Sequence, residues 1–367
     1  MVVINIVDSI EKINFGIWNA AIATAKVLFE KYQITSEIWY PQSTGVFNGN
    51  EYIKGRQLPD TGTKEVKKLV ETLGLSPRNA IICTHGCWRF PTQWGNTFSK
   101  LTFKWIYCPH GMLEPWSLGE KRLKKWLYLN LVEKRLVRSA YAIRAVGSPE
   151  YTNLSTLFGG RKKVLLIPNG VESSDPGYKV QAIAPIKVIF LSRLHHKKGV
   201  LPLVEAWHLS SIFQDKRYHL IIAGPDQGEL EKINTVLEKH KEAASNAAYI
   251  GAVYGEEKEK ILLESTFFIL PSQSEGFPTS ILEAMRLGLI PIITEGCNFP
   301  ELLKNKLGIS ITPDVAGIKN ALDRLPEFPE EELLKLRSEI IQFVDANYSL
   351  DVIAQKQVDL FLEALNN

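Results

Sequence analysis

Short apolar runs and amphipathic, helix-length segments alternate along almost the whole chain. Runs at 2–7, 36–40, 80–84, 104–108, 141–146 and 164–167 are rich in Val, Ile and aromatic residues and predict strands. Their largely continuous apolar character suits strands buried on both faces, as in a parallel sheet. Between them, 17–31, 64–73, 118–138 and a stretch from 149 read as helices; in the first, Ala20, Ala21, Ala25, Leu28 and Phe29 are available for packing. Residues 41–61 are polar, rich in Gly and Asn and without a period, and 85–91 likewise predicts loop. The alternation stops at 168–185, which is dense in Pro, Gly, Ser and Asn and reads as a linker. It then restarts, with strands over 187–191, 218–223, 248–250, 267–271 and 289–294. Helices are predicted over 199–209, 227–240, 256–265, 315–325, 330–347 and 351–365. The expected fold is α/β: two Rossmann-like, doubly wound domains, residues 1–172 and 173–350, with the last helix, 351–367, packing back on the first.

Composition narrows this little. A chain of 367 residues exceeds what one core usually serves, in keeping with two domains. Hydrophobic content of 45% and charged content of 23% are ordinary for a globular protein, and a net charge of +3 is too weak to imply nucleic acid. Cys83, Cys87, Cys108 and Cys297 form no zinc-type pair of C-x2-C units, so a reduced, cytoplasmic setting is the simplest reading. The N-terminus lacks a basic start, and no apolar stretch approaches the roughly 20 residues needed to cross a bilayer. The protein is expected to be soluble or held only at a surface.

Candidate chemistry begins at 272–294, where an apolar strand ends in the polar loop 272–277, Pro278-Thr279-Ser280 opens a helix and a second strand follows. Open α/β sheets bind ligands at such carboxyl ends. Glu275 stands in the loop and Glu283 eight residues on, in the helix. A helix N-terminus suits a phosphate, and the two carboxylates suit sugar and ribose hydroxyls; equally, they fit a loop acid and an exposed helix residue. Arg193 and Lys198, in Ser192-Arg-Leu-His-His-Lys-Lys-Gly199, follow another strand directly and can neutralise a diphosphate, or belong to a solvated basic loop. Gly224, in Ala223-Gly-Pro-Asp226, sits at a third strand-to-helix turn, where a small residue lets a ligand approach.

Taken in order, Ser-Arg-Leu…Lys-Gly from Ser192, Ala-Gly-Pro from Ala223, and Pro-Ser…Glu-Gly-Phe-Pro…Leu-Glu-Ala-Met…Gly…Pro from Pro271 resemble the retaining glycosyltransferases of family 4. Ile167-Pro-Asn-Gly-Val171 resembles that family's domain junction, and Pro109-His-Gly-Met-Leu113 its loop toward the donor sugar. The resemblance implies a GT-B fold, two Rossmann-like domains facing across a cleft, and a nucleotide-sugar donor. It assigns Arg193 and Lys198 to the donor diphosphate, Glu283 to the ribose and Glu275 to the transferred sugar. The backbone from Gly276 through Phe277 and Pro278 to Thr279 would complete the phosphate and sugar contacts. His110 would approach the sugar from the N-terminal domain, or is a packed loop histidine. Base contacts are expected from 251–255, around Val253. The family usually carries paired glycines in its first loop; here Ile13-Asn-Phe-Gly-Ile17 offers only Gly16.

No Asp-x-Asp occurs in the chain, so no metal or other cofactor is expected. The implied activity is transfer of a sugar, with a UDP-sugar as the expected donor, to a glycan or lipid-linked glycan in surface polysaccharide assembly. Retention in the family is attributed to front-face displacement. Two alternatives share the fold: a nucleotide-sugar epimerase and an inactive sugar-nucleotide-binding protein. A nicotinamide dehydrogenase is disfavoured, because 8–16 has no G-x-G-x-x-G spacing.

One further stretch is distinctive. In 118–138, Lys121, Arg122, Lys124, Lys125, Lys134, Arg135 and Arg138 stand against Glu120 and Glu133, with Trp116, Trp126 and Tyr128 nearby. Such a helix suits the anionic inner face of the plasma membrane, or is a solvated face with its aromatics in the core. Nothing resembles a nucleic-acid-binding module.

Overall fold

The structure, a computed structural model, describes residues 1–11, 14–119, 122–160, 162–175, 180, 184–239 and 246–367. Ile13, Glu120, Lys121, His240 and part of the expected linker lie outside the described residues. The chain divides into two compact units: Met1–Gly170 with Tyr348–Asn367, and Val171–Asn347.

The first unit is built on a seven-stranded sheet: β1 (Val2–Ile6), β2 (Thr35–Pro41), β3 (Ile53–Leu58), β4 (Ala80–His85), β5 (Lys104–Cys108), β6 (Ala142–Ala145) and β7 (Lys163–Leu166). All pairings are parallel, in the order β3-β2-β1-β4-β5-β6-β7. Trp39, Trp94, Phe98, Trp105 and Tyr107 fill one buried cluster. In another, Val3, Leu28, Ile34 and Ile81 meet Ile353, Val358 and Phe361 of the last helix, Leu350–Asn366. Buried Thr24 also donates a 2.6 Å hydrogen bond to Gln357.

Three expectations here need correction. β3 lies within 41–61, read from sequence as loop. It is an edge strand whose polar residues, Lys54 and Arg56 among them, alternate with nothing apolar, and only Ile53 and Leu58 at its ends are buried. A helix, Phe90–Lys100, follows the 85–91 loop unpredicted. Its Phe90, Trp94 and Phe98 recur at helical spacing, and Gly95 admits the Trp105 ring: a Cβ there would lie 2.1 Å from it. Gly95→Ala therefore overpacks the core, at about 1–3 kcal/mol. The helix expected over 17–31 is two, Phe15–Ile22 and Ala25–Tyr32.

The second unit holds β8 (Ile186–Leu191), β9 (Tyr218–Ala223), β10 (Ala247–Tyr249), β11 (Phe267–Leu270), β12 (Ile290–Thr294) and β13 (Ile309–Ile311). Their parallel order is β10-β9-β8-β11-β12-β13. Counted from the start of each unit, both sheets run 3-2-1-4-5-6, with a seventh strand added at the edge of the first; this is the doubly wound order whose direction of winding reverses beside the first strand. β13 was not anticipated; three residues are too few to give a period. All four cysteines are free and buried.

Candidate active site

In the second unit the reversal falls between β8 and β11, and the loops leaving these two strands carry the charged candidates. After β8, Ser192 N–H bonds Ala223 O at 3.1 Å, and Leu194 is tied to the next turn by Leu194 N–H to Pro225 O (2.9 Å) and Gln227 N–H to Leu194 O (3.0 Å). Asp226 steadies that turn by accepting from the N–H groups of Gly228, Glu229 and Leu230. The Leu230 N–H foremost holds its carboxyl below the usual range. Gly224, at φ +144°, lets the two turns touch: a Cβ would lie 1.8 Å from Ser192 O. A short turn, His196–Lys198, then ends in Gly199 at φ +70°, where a Cβ would meet Pro271 O at 2.3 Å.

The loop after β11 is bonded to this one. Gln273 N–H and Ser272 Oγ–H both donate to Lys197 O, at 2.8 and 3.2 Å. Glu275 is fixed from the other side: its N–H donates to Gly296 O at 2.7 Å, and Asn298 donates to its carbonyl at 2.5 Å. The result brings Lys198 Nζ to 2.5 Å from Glu275 Oε1, both residues only 8% exposed. An ammonium and a carboxylate are thus held out of bulk water on the rim where an α/β sheet takes its ligand. Burial, with the nearby Glu275 charge, pushes the Cys297 thiol up to about 12, so it is no nucleophile at neutral pH.

Arg193, on the same loop as Lys198, is exposed. Gly276 and Phe277 are half-buried and Pro278 buried; the Phe277 ring lies 5.1 Å from that of Phe299. Pro278 precedes the helix Thr279–Met285, whose start has no side-chain cap. Glu283, on this helix, pairs with Lys258 at 3.1 Å, and one turn on Arg286 pairs with Glu259 at 2.5 Å, so the helix is stapled to Gly255–Leu263. Val253 is buried just before that second helix, while Tyr254 is half exposed. Gly224 N–H donates to Gly251 O at 2.8 Å, which puts 251–254 beside the β9 turn. Sequence reasoning found Lys198, Glu275 and Glu283 but not Lys258 or Asn298, which carry no local signal.

In the first unit, His110 follows β5 at φ +53°, with Gly111 at +74°. Its Nε2 lies 2.8 Å from His85 Nδ1, and His85 Nε2 lies 3.0 Å from Asn5 Oδ1. Since Asn5 Oδ1 only accepts, His85 donates from Nε2 and accepts at Nδ1, so His110 donates from Nε2 and keeps Nδ1 as an open acceptor. Burial and the Arg144 charge push His110 down to about 3, leaving it neutral at pH 7. Buried Glu150 fixes the same loop, accepting from Gly111 N–H at 2.5 Å and Val146 N–H at 2.7 Å. Desolvation raises its carboxyl to about 7.

Gly16 is the second residue of the helix Phe15–Ile22, not part of an irregular loop, and a Cβ there would meet nothing within 4 Å. A polar pocket of the same unit is lined by Asp8, Gln42, Thr44, Asp60, Arg89 and Phe90, at the carboxyl ends of β1 to β4. Burial raises the Asp8 carboxyl against the pull of Arg89, 3.3 Å away. Among the described residues no group of three or more His, Cys, Asp or Glu could hold a metal ion, and no helix is long and apolar enough to cross a membrane.

The two units match two family models in turn. Residues 53–170 match the glycosyl transferase 4-like domain, and residues 180–342 match the glycosyl transferases group 1 model. The chain belongs to the group 1 glycosyltransferases. Among curated members similar to it is a phosphatidylinositol N-acetylglucosaminyltransferase component of Arabidopsis thaliana, 24% identical over 288 residues, or 75% of this chain and 62% of that one. Another is the N,N'-diacetylbacillosaminyl-diphospho-undecaprenol alpha-1,3-N-acetylgalactosaminyltransferase of Campylobacter jejuni, 23% identical over 297 residues, 74% of this chain and 75% of that one. The chain thus spans about three fifths of the length of the first relative.

Among solved structures, Anabaena HepE in complex with UDP and glucose superposes with a TM-score of 0.70 at 14% identity, covering 98% of this chain and 99% of that one. The sucrose-phosphate synthase of Thermosynechococcus elongatus superposes at 0.73 with 16% identity, covering 99% and 98%. These likenesses show the fold of this glycosyltransferase: GT-B, with two Rossmann-like α/β domains. Its charged rim on the second sheet lies wholly within the group 1 match.

Proposed function

We propose that this protein transfers a hexosyl group from a nucleoside diphosphate sugar, a UDP-sugar, to a hydroxyl of a glycan or lipid-linked glycan, with retention of configuration, in surface polysaccharide assembly. The observation that carries this is the Lys198–Glu275 pair at the reversal point of the second sheet, 2.5 Å apart and shielded. Lys198 and Arg193 hold the donor diphosphate, and the charge that grows on it as the anomeric C–O bond breaks makes them worth more in the transition state than in the ground state. Glu275 takes hydroxyls of the transferred sugar and Glu283 those of the ribose. The backbone at Gly224, Val253 and Gly276–Thr279 lines the nucleotide. The acceptor oxygen forms the new bond to the anomeric carbon, and its proton passes to a phosphate oxygen of the leaving group.

In the first unit, the resemblance assigns His110 to the donor sugar, and its neutral state and open Nδ1 suit acceptance from a hydroxyl. The Asp8–Asp60–Arg89 pocket is the acceptor site in this reading, and the setting is cytoplasmic. Support for the acceptor class comes from relatives whose names carry lipid-linked substrates. Incubation with UDP-sugars and lipid-linked glycans, with product linkage read by NMR, tests the proposal: an α-linked product from an α-linked donor is expected, and an epimerised nucleotide sugar without transfer contradicts it.

A further inference from the structure

The segment Arg122–Val137 is a helix interrupted by a π-helical turn, Leu129–Glu133, between Arg122–Tyr128 and Lys134–Val137. The side it buries is Leu129, Glu133 and Val137. Glu133 accepts from Tyr107 Oη–H at 2.7 Å and Thr92 Oγ1–H at 2.8 Å. Inserting one residue into the turn keeps this buried line in register while the opposite side turns outward.

That opposite side is the apolar stripe. Leu123, Trp126, Leu127 and Leu131 recur at i, i+3, i+4 and i+8, spacing an amphipathic helix ordinarily buries. Here they are 72%, 58%, 42% and 68% exposed. Around them Arg122, Lys124, Arg135 and Arg138 are exposed, Lys125 is bonded to Ser117 O and Lys134 to Asn130. The single carboxylate of 122–138, Glu133, is fully buried, so the outward charge of this segment is wholly positive. The structure therefore turns the large apolar side chains outward, where the sequence left open that they belong to the core.

We infer that this face docks on an anionic phospholipid bilayer, with Leu123, Trp126, Leu127 and Leu131 entering the headgroup boundary and the surrounding cations meeting lipid phosphates. Four large apolar groups without polar interruption supply insertion, and the uniform positive rim supplies complementarity to lipid of negative charge. A nucleic acid would match the cations but leave the leucines exposed. A second copy of the chain would set like charges against each other. The inference stands independently of the transfer chemistry, since none of the exposed side chains it rests on is assigned a part in that chemistry.

Co-sedimentation of the full chain with phosphatidylcholine vesicles, with and without phosphatidylglycerol, tests it. Binding to the anionic vesicles at low salt is expected, weakening with salt and with loss of phosphatidylglycerol. Lys124→Ser and Arg135→Ser each lower it about fivefold. Leu123→Ser with Trp126→Ser abolishes it, while circular dichroism and UDP binding match the unaltered protein. Brominated lipid quenches fluorescence that disappears in Trp126→Phe. Absence of binding at low salt overturns the inference. So does undiminished binding in the Leu123→Ser/Trp126→Ser form, which marks mere adsorption of charge, or a lipid-free dimer that Trp126→Ser dissociates in a protein that ignores vesicles.

Discussion

Lys198 Nζ lies 2.5 Å from Glu275 Oε1, joining two loops that leave adjacent strands of the second sheet. Each group is the other's partner, and both are shielded from water. Their contact couples stability to function. A donor that draws the ammonium to its diphosphate must offer the carboxylate hydroxyl donors in exchange, which a sugar does. Removing the ammonium alone strands Glu275, and removal of one member of a buried pair costs about 3–5 kcal/mol. Lys198→Ala should therefore be markedly destabilised in urea, and Lys198→Met/Glu275→Gln should recover much of the loss while staying inactive. Equal stability of Lys198→Ala and the unaltered protein would show that the pair carries no such strain.

Arg193 is exposed, so Arg193→Ala should change stability by no more than about 0.5 kcal/mol. In the proposed role its loss lowers turnover about 10²–10³-fold. Steady-state kinetics beside a melting curve separates the two effects; near-normal turnover removes Arg193 from the leaving-group site.

Glu283 and Lys258 form a half-buried pair, 3.1 Å apart, worth at most about 1 kcal/mol. Assigned to the ribose, Glu283 binds ground and transition states alike, so Glu283→Gln should raise the donor KM with little change in kcat. A fall in kcat at unchanged KM contradicts the ribose assignment.

Two groups that fix the His110 loop give opposite slopes of stability with pH. His110, lowered to about 3, leaves the folded chain less protonated than the unfolded between about 3 and 6.5, so its contribution rises with pH across that window. Glu150, raised to about 7, leaves the folded chain more protonated between about 4.5 and 7, so its contribution falls as pH rises there. Glu150→Gln should remove the second slope, so that from pH 5 to 6.5 its stability changes more favourably with pH than the unaltered protein's, by up to about 1.4 kcal/mol per unit. Urea titrations at these two pH values check it; a slope unchanged from the unaltered protein overturns the Glu150 assignment.

What the sequence disclosed follows from range. Every strand but β3 and β13, the turns at Arg193, Gly224 and Glu275, and the family were legible because each is a local pattern of period or spacing. β3 was not, because a polar edge strand has no apolar face to show. Phe90–Lys100 was masked because Pro91 falls in the 85–91 segment read as loop and Gly95 weakens a helical pattern; Trp105 supplies the reason for the glycine. The partnership of Lys198 with Glu275 joins residues 77 apart in the chain, and those of Glu283 with Lys258, of His110 with His85 and of His85 with Asn5 are non-local too. Sequence named Lys198, Glu275, Glu283 and His110 as separate contacts; only the fold gives them their partners.

The account turns on a nucleoside diphosphate bound between the 192–199 and 271–279 loops. Thermal unfolding with and without UDP measures this most directly, since a ligand at 100 times its Kd stabilises the folded state by about 2.7 kcal/mol. The prediction is a clear rise in Tm for the unaltered protein, much reduced in Arg193→Ala, which folds normally. An equal rise in both, or no rise with UDP or GDP in the unaltered protein, would contradict it.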